Sequence, residues 1–129
     1  MATIQQFEDL EIWKSARLLC KDIRNITGKG DFSKDFRFKS QIEAASGSVM
    51  DNIAEGFERD GNKEFVQFLT ISKGSCGEIR SQLYRALDYN YISETEFNEL
   101  KDKALFLSQS IGNFIKYLKN SEIRGNRFK

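Results

Sequence analysis

The sequence predicts an all-α fold, an antiparallel up-down-up-down four-helix bundle, and three observations support this prediction. The 129 residues contain no proline, so the residue that breaks helices most strongly is absent. Apolar residues recur at steps of three and four over four long segments, which is the period of a helix and not of a strand. The connections between these segments are short, and short connections favour antiparallel neighbours.

The first two predicted helices are delimited by glycines and by a capping residue. The first is expected near residues 8–27, because Gly28 and Gly30 follow it and glycine tolerates the left-handed conformations that end helices. The second is expected near residues 35–57, with Ser33 as its N-cap. Their apolar faces are Ile12, Ala16, Leu19, Ile23 and Ile26, followed by Phe38, Ile42, Ala45, Val49 and Ile53.

The last two predicted helices begin at recognisable capping sequences. The third is expected near residues 63–89, with Asn62 as its N-cap after a turn. The fourth is expected near residues 94–119, where Ser93 and Glu96 have the spacing of a capping box. Their apolar faces are Phe65, Phe68, Ser72, Cys76, Ile79, Leu83 and Ala86, followed by Phe97, Leu100, Ala104, Leu107, Ile111, Phe114 and Leu118.

The four segments predict one domain, residues 1–119, followed by a short polar basic tail, residues 120–129. Apolar periodicity stops before this tail, which holds three basic residues and one acidic residue, so we expect it to lack fixed structure. Six large side chains are expected to be largely buried in the bundle: Trp13, Ile42, Val49, Leu83, Leu107 and Phe114.

Three glycines inside the second and third helices predict a close crossing of these helices. Gly47, Gly74 and Gly77 fall at similar heights when the chain is folded about residue 60. Glycine in a helix interior is less stable than alanine by about 0.5–1 kcal/mol. Close approach of the two backbones would explain why glycine is present there.

The sequence holds no catalytic or metal-binding constellation. It contains no histidine, which excludes serine–histidine and cysteine–histidine nucleophile pairs and the Glu-x-x-His di-iron site of ferritin-like bundles. Cys20 and Cys76 lie far apart, without the spacing of metal ligands. We therefore expect a protein that is not an enzyme and that uses no metal and no cofactor.

The two cysteines without a disulfide pattern and the lack of a targeting signal predict a cytoplasmic protein, and the charge balance predicts no strong general attraction to nucleic acid or membranes. Twenty basic and nineteen acidic residues give a net charge of +1, so no whole-molecule field attracts nucleic acid or an anionic membrane. No apolar run approaches the about 18 residues needed to cross a bilayer. The start of the chain carries acids where a signal peptide has basic residues. We expect no membrane partner.

Three segments of the sequence resemble a known family over about residues 7–119. They read FEDLEIWKSARLL, SVMDNIAEGFERDGNKEFVQFL and GSCGEIRSQLYRALDYNYI. They resemble the four-helix bundle proteins encoded in 23S rRNA intervening sequences, and the most specific block is Asn52 to Gly56. The resemblance implies a ring-like homopentamer without an established biochemical activity.

One related branch of that family is the accessory protein of diversity-generating retroelements. That branch partners a reverse transcriptase and nucleic acid through a basic surface. This sequence departs from it in being nearly neutral overall. The resemblance therefore implies RNA, DNA or a nucleic-acid enzyme as a partner only by analogy.

Four basic residues recur along one side of the first predicted helix. Lys14, Arg17, Lys21 and Arg24 follow steps of three, four and three, which places them on one helix face. Like charges at this spacing destabilise an isolated helix, so a counter-charge is expected. Nucleic-acid phosphate would provide this counter-charge. The interpretation that we favour is pairing with acids of a neighbouring helix or subunit, namely Asp51, Glu55 and Glu58.

A second polar set lies on one side of the second predicted helix. It consists of Ser48, Asn52, Glu55 and Arg59, beside the apolar face. One interpretation is a hydrogen-bonded seam between helices or subunits, because buried polar groups usually pair with each other. The other is a small pocket for a polar ligand.

Large apolar residues outside the predicted core faces indicate further assembly. They are Trp13, Leu18, Leu105, Phe106, Ile115 and Tyr117. They either widen the core-facing bands or form an interface, where aromatic residues are enriched. The family resemblance favours the interface. The sequence therefore predicts a homo-oligomeric scaffold or accessory factor, with nucleic-acid binding through the basic residues of the first helix as the alternative.

Overall fold

The computed structural model describes residues 4–123, and that part of the chain contains four α-helices and no strand. The helices, numbered in chain order, are α1 (Glu11–Thr27), α2 (Phe36–Phe57), α3 (Asn62–Asp88) and α4 (Glu94–Ile123). Two 3-10 turns, Phe7–Asp9 and Gly30–Lys34, precede α1 and α2. The prediction of an all-α fold is confirmed.

Two helix boundaries differ from those expected. α1 begins at Glu11 because Phe7–Asp9 form a separate turn and Leu10 after it is extended. α4 continues to Ile123, so the predicted polar tail begins inside this helix. Residues 120–123 contain no glycine or proline, so this stretch has no residue that breaks a helix. Residues 124–129 lie outside the described part of the chain.

The four helices enclose one apolar core. α1 and α3 each pack against both α2 and α4. The side chains of Ile42, Val49, Leu83 and Leu107 are buried, as predicted. Trp13 and Phe114, also expected in the core, are half-buried and pack against its edge.

In α3 the buried residue is Leu69 and not Phe68. Phe68 is half-buried, and the guanidinium carbon of Arg59 lies 5.0 Å from the centre of its ring. At this point of α3, Leu69 therefore takes the core position that was expected for Phe68.

The caps of the helices agree with the sequence in one case and differ in two. The capping box of α4 is confirmed, since the Glu96 N–H donates to Ser93 Oγ at 3.0 Å and the Ser93 N–H donates to Glu96 Oε1 at 2.9 Å. The N-cap of α2 is Asp35, not Ser33, because Asp35 Oδ1 accepts the N–H of Phe38.

Ser33 and Asn62 have other roles than the predicted N-caps. Ser33 lies inside the 3-10 turn and donates its hydroxyl to the carbonyl of Gly30 at 2.6 Å. The N-cap of α3 is Gly61, whose φ of 89° favours glycine. Asn62 is the first helical residue, and its Nδ2 donates to the carbonyl of Leu118 at 3.4 Å.

The prediction that three glycines mark a close helix crossing is wrong. A Cβ atom added at Gly47, Gly74 or Gly77 meets nothing within 4 Å, apart from the helix itself. The close contact lies at Gly56, where an added Cβ would come within 2.7 Å of Phe68 Cβ and 2.9 Å of Phe65 Cδ1. Among these glycines, the one that lets α3 pack directly against the α2 backbone is therefore Gly56, in the last turn of α2.

Replacing Gly56 by alanine should destabilise the fold, while replacing Gly74 should not. Gly56→Ala forces a methyl group into α3, and such overpacking costs about 1–3 kcal/mol, of which about 1 kcal/mol is offset by better helix propensity. Gly74→Ala gains propensity in open space and should stabilise by about 0.5–1 kcal/mol. Urea unfolding measures both free energies. Equal effects of the two variants would contradict the contact at Gly56.

The carboxyl group of Glu96 makes the start of α4 sensitive to pH. The backbone hydrogen bond from Ser93 is the main cause that lowers the pKa of Glu96 below its ordinary value, and contacts with Lys29 act in the same direction. A lowered folded-state pKa contributes stability above the unfolded pKa. That contribution is lost as pH falls through the folded pKa.

Replacing Glu96 by glutamine should therefore reduce stability at neutral pH and have a diminishing effect in acid. Glutamine can still accept from Ser93 but carries no charge for Lys29. The test compares urea unfolding of the variant and the wild type across the acid range. Glu94→Gln is the control, because among the described residues Glu94 makes no side-chain hydrogen bond. A difference that is constant with pH would contradict the role of the charge.

Candidate functional site

The basic face of α1, formed by Lys14, Arg17, Lys21 and Arg24, is exposed, and three of its members have contacts inside the chain. Lys14 Nζ lies 3.3 Å from Glu11 Oε2, and Arg24 Nη1 lies 3.2 Å from Glu43 Oε1. Arg17 Cζ lies 5.9 Å from the ring centre of Trp13. Lys21 has no ion-pair partner among the described residues. The face is thus partly neutralised within the chain.

The predicted acidic partners do not pair with this face inside the chain. Among residues 4–123, Asp51, Glu55 and Glu58 make no ion pair with α1, and Glu55 instead lies 3.3 Å from Arg59. The reason is that the face of α2 that meets α1 carries Glu43 and not these three acids. The prediction that these three acids pair with the basic face inside the chain is therefore wrong. Pairing between subunits stays a prediction.

Glu43 is the residue near the basic face that the sequence analysis missed. Its Oε2 accepts the hydroxyl of the fully buried Thr27 at 2.6 Å, while its Oε1 meets Arg24. Two partners from α1 hold this carboxylate in place. Folding the chain about residue 34 places Arg24 level with Glu43, so this register could have indicated the pair.

A groove of about 430 Å³ runs between α1 and α2 beside the basic face. Arg17, Lys21 and Arg24 line one wall, and Glu43, Ser46 and Met50 line the other. Guanidinium and ammonium groups along such a groove can bind phosphate or carboxylate. At one end of the groove, the carboxylate of Glu43 offsets part of this positive charge.

The polar set predicted on α2 separates into two parts. Asn52 Nδ2 donates to the Ser48 carbonyl at 2.8 Å and to Ser48 Oγ at 2.9 Å. Ser75 of α3 donates to Ser48 Oγ at 3.0 Å, so this part joins two helices. Glu55, near the end of α2, and Arg59, just beyond it, pair with each other at the surface.

A second groove, of about 460 Å³, lies between α2 and α3 next to Ser48 and Ser75. Its floor contains the small residues Ala44 and Ala45, and its other walls come from α3. The lining residues of α3 are Ser75, Glu78, Ser81, Gln82 and Arg85. The groove therefore combines small apolar residues with groups of both charges.

Gln82 is the more deeply buried of the two buried polar residues in this groove, with 4% of its surface exposed against 8% for Ser75. Its Nε2 donates to Glu78 Oε2 at 3.5 Å, but its Oε1 has no hydrogen-bond partner. The sequence analysis missed Gln82 because it precedes the core residue Leu83 and belongs to neither predicted polar set. How deeply the Gln82 side chain is buried depends on how α2 packs against α3.

The described residues include no metal-ligand cluster, and the buried thiol of Cys76 is not an activated nucleophile. Burial raises the pKa of the Cys76 thiol to about 11, against the opposing effect of nearby Lys73 and Arg80. This thiol is protonated at neutral pH and is a poor nucleophile. No group of three metal-ligating residues occurs between residues 4 and 123. No helix in this range has an apolar stretch that could span a membrane.

The large residues outside the predicted core faces are divided between the core edge and the surface. Trp13 and Ile115 pack against the core. Leu18 is 60% exposed and Phe106 is 65% exposed. Leu105 and Tyr117 are exposed as well. Four of these six residues thus face outward in the single chain.

The comparisons with known proteins agree with this geometry. The family model described as 23S rRNA-intervening sequence protein matches residues 8–113. A crystal structure of a protein of unknown function from the S23 ribosomal protein family of Bacteroides thetaiotaomicron is similar, with a TM-score of 0.75 and 18% sequence identity. The match covers 81% of this chain and 98% of that chain. At this identity the likeness shows the shared fold. No curated protein matches the sequence.

Proposed function

The chain belongs to the 23S rRNA-intervening sequence protein family, and we propose that it is a non-enzymatic, homo-oligomeric four-helix bundle that acts as a scaffold or accessory factor. The observation that carries this proposal is the outer apolar face, which consists of Leu18 on α1 and Leu105 and Phe106 on α4. All three side chains are exposed in the single chain. Large apolar side chains exposed on one face of a bundle are typical of protein interfaces.

The helices of this bundle run in antiparallel order, up-down-up-down. Contacts along each pair support this, because residues late in one helix meet residues early in the next. Between α2 and α3, Arg85 meets Gln41 while Ser72 meets Val49. Between α1 and α4, Lys29 meets Glu96 and Asp22 meets Lys103. Between α1 and α2, Arg24 meets Glu43 and Cys20 meets Ser46.

This topology brings the members of the outer apolar face together. Asp22 Oδ2 lies 2.7 Å from Lys103 Nζ across α1 and α4. Leu18 is one turn before Asp22, and Phe106 is one turn after Lys103. In an antiparallel pair these two steps lead in the same direction, so Leu18 and Phe106 lie at the same height. A second copy of the chain could therefore cover both side chains.

The family resemblance implies five subunits, and we propose this stoichiometry. Wild-type protein should elute as a stable oligomer at micromolar concentration when its mass is measured by light scattering coupled to size exclusion. Phe106→Asp should reduce the mass to 14.9 kDa, because an unpaired charge would be buried in the interface. Phe106 is exposed in the single chain, so the helices should still form.

Phe36→Asp is the matched control for this experiment. Phe36 is 75% exposed but lies at the start of α2, away from the outer apolar face. The control variant should keep the oligomer. A wild-type mass of 14.9 kDa at micromolar concentration would contradict the assembly. A wild-type oligomer that survives Phe106→Asp would place the interface elsewhere.

The second candidate function is nucleic-acid binding through the basic face of α1, with RNA, DNA or a nucleic-acid enzyme as partner. The observation that favours it is the unpaired Lys21 beside Arg17 on the groove between α1 and α2. Oligomer symmetry would repeat this face and could create a basic surface that the net charge of +1 per chain conceals.

Reversing Arg17 and Lys21 to glutamate tests this function. Each phosphate contact contributes about −0.7 to −0.9 to the slope of log K against log salt. The double variant should therefore bind RNA and DNA more weakly, with a flatter salt slope and little dependence on sequence. Reversing the exposed Lys63 and Lys116 is the matched control. Loss of the oligomer, with no salt-dependent binding by the wild type, would instead assign this face to a subunit contact with acids such as Asp51, Glu55 and Glu58.

A further inference from the structure

We propose that the groove between α2 and α3 binds a small molecule that carries both an ammonium group and a carboxylate, that is, a free α-amino acid. This inference goes beyond assembly and nucleic-acid binding. It rests on a buried acceptor without a partner, on a serine hydroxyl with a free proton and on the order of the charges in the groove. The groove lies on the side formed by α2 and α3, away from the outer apolar face on α1 and α4.

The first unsatisfied group is the side-chain carbonyl of Gln82. This residue is 96% buried, as its exposed fraction is 4%, and its Oε1 accepts no hydrogen bond. Buried acceptors in native proteins are nearly always paired, so an exception needs an explanation. The amide lies under the surface of the groove. Rotation about its last side-chain torsion, which is a soft torsion, would present Oε1 to a donor in the groove.

Such a rotation exchanges Oε1 and Nε2, so it moves Nε2 to the buried position and breaks the one hydrogen bond of the amide, and a bound ammonium group must offset both losses. The one hydrogen bond of the Gln82 amide, to Glu78 Oε2, is 3.5 Å long, and hydrogen bonds at this distance are weak. A rotated amide would place a carbonyl oxygen beside the Glu78 carboxylate. Two neighbouring oxygens, one of them charged, form an acceptor site for an ammonium group.

The second group is a serine hydroxyl with a proton that no described residue accepts. Ser48 Oγ already accepts from Asn52 Nδ2 and from Ser75 Oγ. The two hydroxyls together hold two protons and share one hydrogen bond. One proton therefore has no acceptor among the described residues. Because Ser48 and Ser75 both line the groove, this proton is available to an acceptor on a ligand.

The charges along α3 set the orientation of the ligand. Arg85 lies one turn beyond Gln82 and shares the groove with it. Its guanidinium carbon lies 4.4 Å from the ring centre of Phe38, and Nη2 contacts Gln41 Oε1 at 3.4 Å. A guanidinium has five donors, so the held Arg85 keeps donors for a carboxylate. The ammonium group would face Glu78 and Gln82.

A polar side chain on the amino acid would reach the serines at the other end. Helical side chains lean toward the N-terminus of their helix, so Gln82 and Arg85 lean toward Ser75. The volume of about 460 Å³ accommodates one amino acid of ordinary size. We therefore expect amino acids with a side-chain carbonyl or carboxylate to bind best.

The experiment measures the melting temperature of the full chain with each of the twenty L-amino acids at about 10 mM, since a ligand that binds the folded state raises it by mass action. The strongest amino acid is then compared with its amide, which lacks the carboxylate, and its N-acetyl derivative, which lacks the ammonium group. Both derivatives should lose most of the shift. The absence of a shift with all twenty would overturn the proposal.

Gln82→Leu separates a ligand site from a structural role. Removing the unsatisfied acceptor should raise the melting temperature of the free variant by about 2–6 °C, while its affinity for the amino acid should fall about tenfold. Glu78→Gln should also weaken binding. Gln67→Leu, at an exposed position of the same helix, is the control and should bind as the wild type does.

Two results with these variants would overturn the proposal. Unchanged affinity in Gln82→Leu would exclude its carbonyl as a ligand group. Loss of the oligomer in Gln82→Leu, measured by light scattering on the same samples, would assign the groove to a contact between copies of the chain. Since binding and mass are separate readouts, failure of the amino-acid site is distinguishable from failure of the proposed assembly.

Discussion

The close contact between α2 and α3 is the constraint on which the rest of the structure depends. At Gly56 the missing side chain lets Phe65 and Phe68 lie directly against the α2 backbone. Farther along the pair, the Ser72 hydroxyl donates to the Val49 carbonyl at 2.7 Å. A buried hydrogen bond of this kind fixes how far one helix can slide along the other, because any slip would leave both groups unpaired.

That fixed register determines what each outer surface presents. With Ser72 opposite Val49, Ser75 comes next to Ser48 and Arg85 next to Gln41. The small residues between these points leave a groove and not a ridge. On the other side of the bundle, the ion pairs that connect α1 and α4 are partly exposed, and such pairs add little stability. In the proposed assembly, the exposed apolar residues there would therefore supply more of the binding free energy than these ion pairs.

The helices could be predicted from the sequence because their signals are local. Apolar spacing marks four amphipathic segments, and the capping box of Ser93 and Glu96 needs residues only three apart. The N-cap of α2 was harder to predict, because the 3-10 turn that moves Ser33 away from the helix start has no clear pattern in the sequence. The glycines were misread for a similar reason, since Gly47 and Gly56 look alike until the neighbouring helix is placed.

The candidate site was harder to predict because it depends on the relation between helices. Ser48 and Asn52 could be grouped from their spacing on one helix, but their partner Ser75 lies on another. Glu43 became visible as the partner of Arg24 only in the register of α1 and α2. The burial of Gln82 depends on how closely α3 packs against α2. The apolar periodicity of one helix does not predict this distance.

The position of Gln82 also bears on why a polar groove exists in a bundle of this kind. A leucine of similar volume at this position would leave no unsatisfied oxygen, and replacing an unpaired buried polar group in this way is often stabilising. Selection for stability alone would therefore not retain glutamine. Natural proteins commonly keep destabilising polar groups where a binding function uses them. The outer apolar face and the groove lie on opposite sides of the bundle, so assembly can bury one while the other stays open to a ligand. Changes at sites this far apart add independently unless an interface connects them. Independence of the two surfaces is thus the property that would let one small bundle combine a scaffold with a binding site.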